Sequence, residues 1–94
     1  MTRLDVGGRS FYGVNAHGQK ITMRVNNISK THAEMDAFQQ AFNAGARGGK
    51  GRLFVDADLC GACGKNGAVR SLARQLGLTE LQVVTPNKIF TLIP

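Results

Sequence analysis

Leu81-Gln82-Val83-Val84-Thr85-Pro86-Asn87-Lys88-Ile89-Phe90-Thr91-Leu92-Ile93 reads as two strands, Leu81 to Thr85 and Ile89 to Ile93. Pro86, Asn87 and Lys88 are too few to hold a crossover helix, so the two strands must run antiparallel. Working back along the chain, Gly77 stops an amphipathic helix whose apolar face is Val69, Leu72, Ala73 and Leu76. Gly64 and Gly67 weaken the first turn of that helix. Before it, Arg52 to Ala57 is a short, mostly apolar run (Leu53, Phe54, Val55), the pattern of a buried strand. Ala46 to Gly51, with Arg47, Lys50 and three glycines, reads as a basic loop.

The first half follows the same logic. Met35, Phe38, Ala41 and Phe42 line one face of a helix that Thr31 caps and Asn43-Ala44-Gly45 ends. Asn26 to Lys30 breaks what precedes it. Ser10 to Val14 and Gln19 to Val25 are predicted as the strands of a β-hairpin turning at Asn15 to Gly18, with Ile21, Met23 and Val25 on one face. The chain is therefore an α/β domain with the order β-β-α-β-α-β-β.

Ninety-four residues make one domain with one core. Apolar residues at 43 % against 19 % charged are a globular balance and exclude a disordered tail. No apolar run approaches the roughly 20 residues of a membrane helix, and residues 1–20 carry no secretory pattern. Two cysteines are too few for a disulfide framework, which points to a reducing compartment or a metal. Twelve Lys and Arg against six Asp and Glu give +6, a charge suited to polyanions. The excess lies at the two ends. Arg3, Arg9, Lys20, Arg24 and Lys30 face only Asp5 in the first third, and Lys65, Arg70, Arg74 and Lys88 face only Glu80 in the last. These two groups could merge into one face of the fold.

The chemistry-bearing residues are His32-Ala33-Glu34 and Cys60-Gly61-Ala62-Cys63, each read at the start of a helix. Two thiolates and one imidazole would give zinc three protein ligands and leave a fourth position for water, the open arrangement of a catalytic site. A helix N-terminus favours the thiolate form of Cys60 and Cys63. Glu34, two residues beyond His32, is the candidate to take a proton from that water and return it to the substrate. H-x-E followed by C-x-x-C is the signature of the zinc deaminases of nucleobases.

With these motifs in place, Thr31 to Phe42 resembles the first catalytic helix of bacterial polymorphic-toxin deaminases, members of the cytidine-deaminase-like superfamily. Leu59 to Cys63, Gly77-Leu78 and Leu81 to Val84 resemble the family's second helix and fourth strand. Ser10 to Asn15 is similar to the first strand of the DNA cytosine deaminase toxins. The resemblance covers residues 8–94. It implies a three-layer α/β/α sandwich with a mixed five-stranded sheet, one zinc with its bound water, and deamination of cytosine to uracil in DNA. It also implies that residues 1–94 are a single zinc-dependent deaminase domain, the excised C-terminal toxin domain of a larger secreted bacterial protein. That effector would act in the cytoplasm of a target cell and be neutralised in the producer by an immunity protein, with no membrane partner. Leu59 stands where the family often has proline, and Ala62 where some duplex-acting members have an aromatic residue. A small Ala62 cannot wedge a base stack, which favours single strands over duplex.

Substrate contacts are expected from Phe11, Tyr12, Asn27 and Ala33, and phosphate contacts from Arg47 and Lys50. Each motif has a plainer alternative. Thr31-x-x-Glu34 is also a capping box, Cys60 and Cys63 also suit a redox pair, and His17 is read as an exposed turn residue. Two other functions fit the residues: a free-cytidine deaminase, or a non-catalytic nucleic-acid-binding module with structural zinc on His17, His32, Cys60 and Cys63.

Overall fold

The computed structural model describes residues 2–15, 18–24, 33–56 and 68–94. The first element is β1 (Thr2–Val6), followed by β2 (Arg9–Gly13), α1 (Ala33–Asn43), β3 (Lys50–Val55), α2 (Ala68–Gln75), β4 (Glu80–Val84) and β5 (Ile89–Leu92). The strands form one mixed sheet in the order β2-β1-β3-β4-β5. β3 and β4, linked through α2, are parallel; the other neighbours, β5 on β4 included, are antiparallel.

The first hairpin departs from the sequence expectation. Its strands are Thr2–Val6 and Arg9–Gly13, not Ser10 to Val14 with Gln19 to Val25. Gly7 and Gly8 form the turn with φ of 58° and 79°, the doubly left-handed backbone that a two-residue hairpin requires and that glycine adopts without strain. Gln19 to Arg24 does not join the sheet. Side chains of the helices satisfy its backbone instead. Gln39 Oε1 accepts the N–H groups of Thr22 and Met23 at 2.8 and 3.0 Å, and Gln39 Nε2 donates to Thr22 Oγ1 at 2.9 Å. Gln75 Oε1 accepts the Arg24 N–H while its Nε2 donates to the Arg24 carbonyl, both at 2.8 Å. Met23 is thereby buried in the core and Ile21 packs against it.

Both helices stop as expected, and for one reason. Gly45 and Gly77 have φ of 77° and 70°. At each, the glycine N–H bonds three residues back (Phe42, Arg74) and the next N–H bonds five back (Ala41, Ala73). This double bond closes a helix and tucks the following residue, Ala46 or Leu78, into the core.

One core cluster joins the helices to one face of the sheet: Leu4, Val6, Phe11, Leu53, Val55, Leu81, Val83 and Leu92 from the strands, Met35, Ala37, Phe38 and Ala41 from α1, Val69, Leu72, Ala73 and Leu76 from α2 and its end. α1 lies on β1 and β2 and touches α2. The described residues thus form two layers rather than the three expected, because both helices cover the same face. The opposite face carries two cross-strand rows. Tyr12, Arg3, Phe54, Val84 and Ile89 form an aromatic and apolar row, and Ser10, Asp5, Arg52, Gln82 and Thr91 a polar one.

Candidate active site

The site begins where β2 ends. Gly13 lies directly beneath the start of α1: a Cβ on it would sit 2.0 Å from the Ala33 carbonyl oxygen and 2.8 Å from the Ala37 nitrogen. Only glycine lets the strand and the helix approach this closely. The two residues after it tie down the helix. Asn15 Oδ1 accepts the Ala33 N–H at 2.8 Å, satisfying one of the donors that a helix start leaves unpaired. Asp36 Oδ2 accepts the Val14 N–H at 2.9 Å. Gln19 Nε2 donates to Asp36 Oδ1 and, at 3.3 Å, to the Asp36 carbonyl. Asp36 is buried in the first turn of α1, where the helix dipole favours a negative charge.

Glu34 is half-buried in the same turn, between Ala33 and Asp36. The sheet register relates this turn to the end of β3. Thr2 pairs with Gly13 on one side and with Val55 on the other. The last residue of β3 is therefore two strands, about 10 Å, from the strand position under α1. Ala33 directly follows His32, and Asp56 precedes Cys60 by four positions, so the described flanks of the two motifs occupy one end of the sheet. That is the end at which the parallel strand β3 finishes, the usual ligand-binding side of an open α/β sheet.

His32, Cys60 and Cys63, as well as Asn27, His17, Thr31, Leu59 and Ala62, lie outside the described residues. Among the described residues no group of three or more His, Cys, Asp and Glu side chains is arranged to hold a metal. The other predicted contacts are spread out. Ala33 is buried at the start of α1. Phe11 packs in the core on the helix side, whereas Tyr12, 55 % exposed, points to the opposite face beside Arg3 and Phe54. Neighbouring strand residues face opposite ways, so the two cannot line one pocket on the helix side. Arg47 stacks on Phe42, 4.2 Å from its ring centre, and donates to the carbonyls of Phe42 and Ala46 at the far end of α1. Lys50, at the start of β3, faces Glu80 at 4.0 Å. The structure does not bring Arg47 or Lys50 to Glu34; a helix of about 16 Å intervenes. Sequence reasoning missed Gly13 and Asp36. Nothing local marks either one, since their role depends on β2 passing under α1.

The sequence pattern of the MafB19-like deaminases matches residues 1–93, nearly the whole length. The chain belongs to the MafB19-like deaminase family. MafB19-like deaminases are a polymorphic-toxin-associated family within the cytidine-deaminase-like superfamily, so the reaction class is hydrolytic deamination. No curated protein and no solved structure compared with this MafB19-like deaminase matches it. In it, the clamp of Gly13, Asn15 and Asp36 holds the helix turn that carries Glu34. Among the described residues no helix is long and apolar enough to cross a membrane.

Proposed function

We propose that this MafB19-like deaminase hydrolyses the exocyclic amine of cytosine in DNA, preferring single strands, as the toxic domain of an interbacterial effector. The observation that carries the reading is the clamped first turn of α1. It fixes Glu34 at the sheet end towards which the flanks of both sequence motifs lead.

His32, Cys60 and Cys63 are the residues that would hold zinc. Two thiolates and an imidazole are a donor set that suits this ion and leaves a position open. When bound, zinc supplies a water acidic enough to react near neutral pH. Glu34 accepts a proton as water adds to C4 of the base, delivers it to the ring nitrogen, and then assists departure of the amine. Cytosine and water become uracil and ammonia. The half-buried setting of Glu34 leaves it reachable. The charge of +6 supports a polyanionic substrate over free cytidine. An immunity protein of acidic character would complement the same charge in the producing cell.

The test is incubation of the zinc-loaded protein with matched single-stranded DNA, duplex DNA, RNA and free cytidine, with Glu34→Ala alongside. C-to-U conversion in the single strand, absent from the variant, supports the reading. Conversion of cytidine alone would overturn the DNA assignment.

A further inference from the structure

The segment that carries Arg24 is joined to the end of α2 through one side chain. Gln75 holds both the N–H and the carbonyl of Arg24 at 2.8 Å, and so seats Arg24 against the end of α2, where the residue before Gln75 is Arg74. Arg70 lies one turn before Arg74, about 6 Å along the axis; its Nη1 donates to the Ile93 carbonyl at 2.9 Å. Val69, Leu72, Ala73 and Leu76 face the core, which turns Arg70 and Arg74 outward.

α2 and the 18–24 segment contain Lys20, Arg24, Arg70 and Arg74 and no carboxylate. Among the described residues neither Arg24 nor Arg74 has an acidic side chain within ion-pair distance. On the sheet, Arg3 and Lys50 are matched by Asp5 and Glu80, while Arg9 donates to the Ala44 carbonyl. The helix dipole accounts for a cation at Arg74 but not for Arg24, whose backbone is held in place by a dedicated side chain.

We propose that the outer face of α2 and the adjoining 18–24 segment binds the phosphate backbone of the substrate strand, with Arg24 and Arg74 as principal contacts and Lys20 flanking them. The inference rests on the proposed nucleic-acid substrate and deepens it. Arg24 and Arg74 sit at the end of α2 remote in sequence from Cys60–Cys63, where the Leu76 carbonyl accepts the Gly48 N–H, so they grip nucleotides away from the reacting base. Guanidinium groups suit this role because their planar donors match phosphate oxygens. Arg47 and Lys50, the cations expected from sequence to serve here, are engaged elsewhere.

The test measures binding of a labelled single-stranded DNA oligonucleotide by fluorescence anisotropy across a salt series, in a Glu34→Ala background to prevent turnover. Each of Arg24→Gln and Arg74→Gln is expected to weaken binding several-fold. Each should also flatten the slope of log affinity against log salt by about 0.7, the loss of one single-strand phosphate contact. Lys50→Gln should change neither. Circular dichroism melts matching the parent confirm that the variants fold. An unchanged slope in the double variant, or an equal loss in Lys50→Gln, overturns the proposal. RNA bound with the same sensitivity to Arg24 and Arg74 supports a backbone-reading surface that accepts either sugar. Deamination of single-stranded DNA that is indifferent to both arginines leaves the reaction standing and removes the surface. Arginine-dependent binding without deamination does the reverse.

Discussion

The carboxylate of Asp36 accepts the backbone N–H of Val14 at 2.9 Å, tying the first turn of α1 to the residue that follows β2. The partners are 22 positions apart, and the carboxylate is buried. One oxygen serves the strand exit and the other serves Gln19, so one side chain fixes the position of the turn bearing Glu34.

Removing that carboxylate should both loosen the fold and misplace the turn that carries Glu34. Asp36→Ala strands the Val14 N–H, at a cost of about 1–3 kcal/mol in urea unfolding. A small displacement of Glu34 should lower kcat on the order of 10²-fold even where the protein is still folded. Equal kcat in a folded Asp36→Ala protein would show that the clamp does not position the turn.

The two buried glycines of the core face should respond differently to alanine. At Gly13 the new Cβ meets backbone, the Ala33 carbonyl at 2.0 Å, so the whole helix start must shift. At Gly51 the nearest atoms are the flexible ends of Leu78 and Leu81, at 2.8 and 3.1 Å. Gly13→Ala is expected to cost about 3 kcal/mol or more and Gly51→Ala about 1–2 kcal/mol, overpacking being cheaper where side chains can rotate. Paired thermal melts test the order.

Gln39 should behave as a buried strand surrogate. Gln39→Leu keeps the volume but leaves the N–H groups of Thr22 and Met23 without their acceptor. About 2–4 kcal/mol should be lost. Amide hydrogen exchange at Thr22 and Met23 should accelerate while exchange in β1 and β3 keeps its protection. Uniform acceleration across the sheet would instead mean that the segment and sheet open together.

Glu34→Ala should retain the fold and lose about 10²- to 10⁴-fold in rate. Chelation should abolish activity in the parent protein, with zinc restoring it. A variant as active as the parent would reduce Glu34 to the capping role that the Thr31-x-x-Glu34 spacing also allows.

Much of this architecture is legible in the chain itself. Apolar residues at helical spacing, followed by glycine, locate both helices and their ends, because a left-handed residue closes a helix wherever it packs. The Pro86–Lys88 joint settles β4 and β5 as antiparallel neighbours, since three residues cannot span a crossover. The spacing of His32, Glu34, Cys60 and Cys63 suffices to suggest a deaminase, the class of the family to which the chain belongs. Other features depended on the assembled fold. Alternation from Gln19 to Val25 reports that one side of an extended segment is buried, but not what buries it. Gln39 and Gln75 supply, from the helices, the hydrogen bonds that a neighbouring strand would otherwise make, so the same pattern stands outside the sheet. The roles of Asp36 and Gly13 and the bonding of Arg24 to Gln75 became visible only in three dimensions, because each depends on contacts between distant parts of the chain that local periodicity does not encode.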